Sequence, residues 1–425
     1  MHSKFFPRPK PELKYAGTKY TGLILALIST LLIISASCAT LKPTPQPYKT
    51  SLSFKGQYYQ VVYNDFLNLF RRKGIKIISE SWEQGLIETD WLYFSRPGSN
   101  WRFRYSLVLS FAKDNEQPNS IQISATARYQ RGILLRQDPF TPNPIGYDWD
   151  DLAPDQFLIG NINDFFISLK NHIDPIQSNI ILPYPQGIRR VIYRIKGISI
   201  EKVKSFPFDE TQRIFNLGDE YVDIQTSSQI FSENDAVIFP IADERFSQFL
   251  SSTGFCQSDD LMIKEKARKI IGTEKNSWRA VKMIVTWLKK EITPAYNFSF
   301  SEAKDVLLSL QGDCTEYTVL AAAFCRAVGI PARAVVGIMY DGGIFNYHMW
   351  LEAYVGQWVS IDPQFYEIDE DSGEYYTDAT HLKFLQINLG DDTLKVMNQF
   401  MGSIMDNLEL EILDYGVGPG QVIDN

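Results

Sequence analysis

The stretch "GDCTEYTVLAAAFCRAVGIPARAVVG", residues 312–337, sets a cysteine between a tight Gly-Asp pair and the first turn of an apolar helix. Val319, Leu320, Ala323, Phe324, Ala327 and Val328 form one apolar stripe, which predicts a helix packed on a core and closed by Gly329 and Pro331. A helix start carries unpaired backbone N–H groups and the positive end of the dipole. It therefore favours an anion, here a thiolate at Cys314, and the same N–H groups can stabilise an oxyanion on a carbonyl under attack. The plain alternative is a small apolar residue filling a helix start, which is how Cys325 in the same helix reads.

A cysteine nucleophile needs a base and a group to orient that base. Beyond residue 38 the histidines are His172 in a motif-poor middle, His381 near the acidic tail, and His348. His348 opens "HMWLEAYV", in which His348, Trp350, Glu352 and Tyr354 alternate with Met349, Leu351, Ala353 and Val355, a strand with two distinct faces. After Gly356 and Gln357 the chain returns as "WVSIDP", a second strand ending at Asp362. Two adjacent antiparallel strands would bring Asp362 near enough to His348 to hold the imidazole in its working tautomer. An Asp before Pro363 is equally at home as a strand-ending turn residue.

Cysteine at a helix start, strand, histidine strand, hairpin and aspartate follow one another in that order. With "GDCTEYTVLAAAFCRAVGIPARAVVG" and "YHMWLEAYVGQWVSIDP" this resembles the core of the transglutaminase-like superfamily of papain-like cysteine enzymes, over residues 260–385, flanked by "AKDVLLSLQGDC" and "DATHLKF". The resemblance implies an α+β fold, with helices plus an antiparallel sheet in the papain-like core. It implies Cys314 as nucleophile, His348 as general base and acid, and Asp362 as the residue orienting the histidine. Gly329 and Arg333 match a structural turn in which the arginine pairs within the fold, and Glu316 matches a supporting position. In the family an upstream side chain assists the oxyanion site, and Trp278, Trp287 and Tyr296 are the candidates here. The implied chemistry is acyl transfer through a thioester on Cys314. Water at the second step makes a protease or amidase acting on a protein or peptide, whereas an amine makes a cross-linking transglutaminase. A non-catalytic envelope binding or assembly lipoprotein is the alternative from another class. No cofactor is implied.

Residues 1–38 differ from the rest. Lys4, Arg8, Lys10, Lys14 and Lys19 stand against Glu12 alone, and "GLILALISTLLIISASC" then runs uncharged into Cys38, the pattern of an export signal. "SASC" resembles the lipobox of bacterial lipoproteins, which implies cleavage before Cys38 and lipid modification of it; residues 20–39 could instead remain as a membrane anchor. The expected location is the bacterial envelope, membrane-anchored on the periplasmic side. Removing residues 1–37 takes away five basic groups and one acidic group, so the formal charge goes from −8 to −12. So acidic a body does not favour nucleic acid or anionic headgroups. Cys256, Cys314 and Cys325 are too few for a disulfide framework, with a Cys256–Cys325 bridge left open.

The 425 residues, 44% hydrophobic and 13% aromatic, have ample material for two or three cores. The expected order is a tether over 38–54 and a small α+β domain over 55–135. A linker with a short helix follows over 136–177, then a β-rich domain over 178–255, the catalytic domain over 256–390 and a C-terminal extension over 391–425. In the first domain Tyr59, Val62, Phe66, Leu69 and Phe70 have helical spacing, ahead of the strand-like "IKIISES", "GLIETDWLYF", "WRFRYSLVLSF" and "SIQISATARYQ". This unit resembles domains of outer-membrane assembly lipoproteins. The β-rich segment rests on "IRRVIYRIKGI", "YVDIQTS" and "AVIFPI". No HExxH, paired CxxC or glycine-rich phosphate loop occurs, so a metal or nucleotide site is not expected. The acidic run "YEIDEDSGEYYTD" over 366–378 reads as a solvated face, its spacing unlike an EF-hand.

Overall fold

The computed structural model describes residues 45–55, 59–72, 74–94, 102–113, 120–137, 144–295, 300–404 and 407–418. The chain divides into residues 1–45 and 46–425. The export signal, the lipobox and Cys38 lie outside the described residues, as does Tyr296. No helix among the described residues is long and apolar enough to cross a membrane.

The first part is an antiparallel sheet of β1 (Tyr48–Lys55), β2 (Ile77–Ser81), β3 (Leu86–Thr89), β4 (Leu92–Phe94), β5 (Arg102–Lys113), β6 (Ser120–Gln137) and β7 (Pro144–Leu152), covered by helices α1 (Tyr59–Arg72) and α2 (Gln156–Ile173). Strand β5 shows why it forms: Phe103, Tyr105, Leu107, Leu109 and Phe111 all point inward and are buried, at the period-two spacing of a strand. One edge of β6 pairs with β5, and its other edge is shared by β1 along residues 120–127 and by β7 along residues 129–137.

Two expectations are revised here. The stretch expected as a tether contributes β1, whose Phe54 is fully buried. The Pro- and Asp-rich stretch expected as a linker contributes β7. Both lie at a sheet edge, where one side needs no partner and proline and charge are tolerated, so neither carries the apolar signature of a central strand. The short helix expected near "INDFFISLKNHI" runs the full length of α2. Asp155 caps it by accepting from Leu158 N–H, and it buries Leu158, Ile162, Phe165, Phe166 and Leu169.

The rest of unit 46–425 contains a second and a third sheet. The second is ordered β10 (Gln212–Leu217), β11 (Val222–Ser227), β9 (Ile188–Lys196), β20 (Glu409–Val417). Strand β20 belongs to the expected C-terminal extension, yet it fills the edge beside β9. "AVIFPI" forms no strand: the N–H groups of Val237, Phe239 and Ile241 go to carbonyls of Val355, Lys275 and Gly329, at three separate places in the chain.

The third sheet is antiparallel, with β14 (Ala332–Asp341) and β15 (Ile344–Tyr354) at its centre, β16 (Trp358–Ile361) beyond β15 and β19 (Leu382–Ile387) beyond β14; the short β8 (Ile176–Gln177) also joins β15. Short pairs β12 (Thr293–Pro294) with β13 (Gln311–Gly312) and β17 (Glu367–Ile368) with β18 (Tyr375–Tyr376) flank it. The helices, in chain order, are α3 (Ile200–Lys204), α4 (Ser247–Leu250), α5 (Leu261–Ile271), α6 (Ser277–Glu291), α7 (Ala303–Ser309), α8 (Cys314–Val328) and α9 (Thr393–Gly402). Helix α8 is buried along most of its length between α5, α6 and the sheet, which is why its alanines and Phe324 leave no polar face. The fold is α+β, mixed helices and mainly antiparallel sheets, as the resemblance implied.

Candidate functional site

Helix α8 starts as "GDC" requires. Asp313 is the N-cap and accepts from Thr315 N–H at 3.1 Å, while the Glu316 carboxylate accepts from Asp313 N–H at 3.0 Å, a closed capping box. Glu316 is thus structural, and a Cβ on Gly312 would lie 2.2 Å from the Glu316 Cβ, so the box needs glycine there. Cys314 occupies the first helical position and keeps partial exposure. At the other end Gly329 takes φ +89°, the left-handed cap that only glycine adopts freely. Arg333 pairs with buried Glu352 at 2.7 Å, the internal pairing the resemblance implied. Cys256 and Cys325 are free buried thiols.

Thr318, one turn into α8, ties the helix to the histidine strand. Its hydroxyl is 2.8 Å from the Cys314 carbonyl and 3.0 Å from the Met349 carbonyl, and donates its one proton to either. Met349, Leu351, Ala353 and Val355 face the core under α8, so His348 falls on the other face of β15, opposite Gly337 of β14. Asp362 follows the end of β16. The His348 Nε2 to Asp362 Oδ2 distance is 2.6 Å, and both side chains are buried. Asp362 is further fixed through Oδ1, which accepts from Gln364 and Phe365 N–H at 2.8 and 3.1 Å. Burial alone would raise its carboxyl, but His348 and His381 hold it far below the usual carboxylate range. Asp362 is therefore an acceptor, His348 donates from Nε2, and Nδ1 remains for a second partner.

Burial pushes the Cys314 thiol well above its ordinary value, with Asp313, Asp362 and Glu316 adding to the rise and the Met349 N–H opposing it. These effects favour the neutral thiol over the thiolate. The dipole argument alone promised an anion, but at this helix start burial works against it, with Asp313 adding to the rise.

The sequence reading missed His381. It lies in the loop before β19, buried, with Nε2 at 3.2 Å from the same Asp362 Oδ2 that His348 uses. The one available signal was "DATHLKF", already a matching flank. The acidic run before it is a solvated face only in part: Glu370 and Asp371 are exposed, but Glu374 and Asp378 are buried, and Glu374 accepts from Trp278 Nε1 and Lys282 Nζ at 2.9 Å. That bond commits the Trp278 indole away from the oxyanion role, while Trp287 stacks edge-on against Phe324. Phe365, 44% exposed, sets an apolar ring with its centroid 5.7 Å from that of His348.

His348, Asp362 and His381 are the one ligand-like cluster among the described residues, their donor atoms within 4.8 Å of one another. Two donors on a tetrahedral zinc at about 2.0–2.1 Å would stand roughly 3.3 Å apart. The 2.6 Å separation of His348 and Asp362 is a hydrogen bond, so the arrangement does not fit an ion.

Residues 264–363 match the family model of the transglutaminase-like superfamily. An uncharacterized protein of Mycobacterium leprae (strain TN) is 26% identical over 173 residues, 36% of this chain and 60% of that protein, so the chain spans less than two-thirds of this relative's length. Among solved structures, a candidate cysteine protease from Cytophaga hutchinsonii aligns at 17% identity over 56% of this chain and 92% of its own, with a TM-score of 0.37. The periplasmic domain of TgpA from Pseudomonas aeruginosa, bound to ethylmercury, aligns at 15% identity over 44% of this chain and 87% of its own, with a TM-score of 0.29. The segment that matches the family model holds α8 and the histidine strand, and residues 264–363 are a transglutaminase-like domain within a longer chain.

Proposed function

We propose that this protein is a cysteine-dependent acyl-transfer enzyme that works through a thioester on Cys314 and hydrolyses peptide, isopeptide or amide bonds in the cell envelope. The observation that carries the reading is the 2.6 Å bond from His348 to Asp362, on a strand that Thr318 joins to the turn holding Cys314. Asp362 holds His348 with Nε2 protonated, so Nδ1 is the basic nitrogen. Burial favours the neutral thiol, so His348 takes its proton as the sulfur attacks the carbonyl. The imidazolium then gives that proton to the departing amine, and water releases the acyl group from sulfur. Backbone N–H groups at the start of α8 face the developing oxyanion. The expected location is exported and membrane-held through Cys38 or the uncleaved segment, with a protein or peptide as substrate.

The test compares the wild-type chain with Cys314→Ser on envelope proteins and reads the products by mass spectrometry. Shortened products that vanish with Cys314→Ser support hydrolysis, and joined products of higher mass assign cross-linking instead. Products that persist in Cys314→Ser, or none from either protein, sink the enzyme reading in favour of a binding lipoprotein. Replacing Cys38 by Ala should release the body from the membrane fraction or leave it uncleaved; unchanged lipid labelling and fractionation would refute the lipobox.

A further inference from the structure

The second histidine on Asp362 has a defined protonation state. His381 Nε2 is 3.2 Å from the Asp362 carboxylate, while Nδ1 is 3.2 Å from the Asp378 carbonyl and 3.4 Å from Asp378 Oδ1. Every one of these neighbours is an acceptor, so each ring nitrogen must carry a proton and the ring is an imidazolium. The other charged groups near it are accounted for. Lys383, which shares a cavity of about 20 Å³ with His381, is held at 2.7 Å by both Asp209 and Glu352. His348 shares Asp362, and Trp350 stands edge-on at 5.1 Å between centroids. Burial opposes the charge on His381, but Asp378 and Asp362 outweigh it and bring its titration up to about 10.

We propose that His381 is a positioning residue for His348: its imidazolium, clamped between Asp378 and Asp362, fixes the carboxylate that His348 leans on and offsets its charge. This rests on the Cys314–His348 reading above. Without a compensating cation, two buried carboxylates would over-stabilise a protonated His348 and keep it from accepting the thiol proton near neutral pH. With the cation in place, Asp362 still sets the tautomer but pulls less strongly on the proton.

The experiment follows alkylation of Cys314 by iodoacetamide against pH in the full chain, read on the Cys314 peptide by mass spectrometry so that Cys38 does not contribute, Cys256 and Cys325 being buried. In His381→Gln, which keeps a donor but loses the charge, the acid-side limb should move up by roughly one pH unit, about a tenfold lower rate below it. A merely structural role would depress the rate equally at every pH. A His381→Gln profile superimposed on wild type, with the limb abolished in His348→Ala, overturns the role of His381 and leaves the Cys–His pair standing. A limb unchanged in His348→Ala overturns the pair itself. Should His381→Gln not fold, NMR of nitrogen-labelled histidine in the wild-type chain decides: His381 should keep both ring protons across the pH range of the alkylation limb. Loss of a His381 ring proton within that range would overturn the proposal.

Discussion

In the N-terminal sheet the inward side chains of β5 are aromatic or aliphatic, and the buried polar side chains described before residue 174 are Thr89 and Asn161. The third sheet has another interior: Glu316, Arg326, His348, Glu352, Asp362, Asp378, His381 and Lys383 are all buried within it or against it. Burying a charge is costly unless it is paired and hydrogen-bonded, and a hydrophobic replacement often serves stability as well. The first region therefore holds what folding needs. The second retains charges that folding alone does not call for, and those nearest Asp362 are the ones the proposed chemistry uses.

The largest effect expected from this contrast is at Glu352. It holds Arg333 and Lys383, each at 2.7 Å, and accepts from Gln386 and Ser360. Glu352→Gln leaves two cations facing a neutral amide, and chemical denaturation should read a loss of about 3–5 kcal/mol. A loss below about 1 kcal/mol would mean that water reaches the network, contrary to its burial.

A pH series sharpens the same point. The folded pKa of His381, raised from 6.5 to about 10, makes its contribution complete below 6.5 and progressively lost as pH rises towards 10. Unfolding free energy should fall across that interval, by an amount on the order of a few kcal/mol, and this part of the decline should be absent in His381→Gln. At the acid end the sign reverses. Asp362, held far below its ordinary value, contributes above its unfolded pKa and is lost as pH falls towards its folded one.

How much of this could be read from the sequence followed from distance along the chain. Helix α8, β15 and Asp362 lie within one continuous segment, each marked by its own periodicity or cap, so their order and pairing were legible. His381 was not, because it reaches Asp362 from 19 residues further on through a loop that has no period. Strand β20 pairs with β9, as Asp414 does with Arg190 from 224 residues away, and no local pattern announces such a partner. Strands β1 and β7 were concealed by their edge composition. The upward push on the Cys314 thiol was hidden for a different reason: a helix dipole can be inferred from sequence, whereas the burial that opposes it cannot.

The N-terminal core supplies a control. Leu107→Ala removes a fully buried side chain from the centre of β5 and should cost about 2–4 kcal/mol in denaturation. Alkylation of Cys314 should keep its wild-type pH profile below the unfolding transition. A shifted profile would join the two regions energetically and break the division drawn between them.

The smallest effect should come from the charges that the N-terminal sheet does carry. Arg71 and Glu80 meet at 3.0 Å with side-chain exposures of 57% and 43%, and both ends remain in water. Their attraction is screened, and holding two long side chains together costs entropy, so Glu80→Gln should change stability by no more than about 0.5 kcal/mol. The comparison with Glu352→Gln makes the same carboxylate-to-amide change at an exposed site with one cation and at a buried site with two. If the two substitutions cost the same, burial is not what separates the sheets. If they differ by the expected several-fold, the third sheet keeps its charges under a constraint the first does not share, and the shared oxygen of Asp362 is where that constraint meets the proposed reaction.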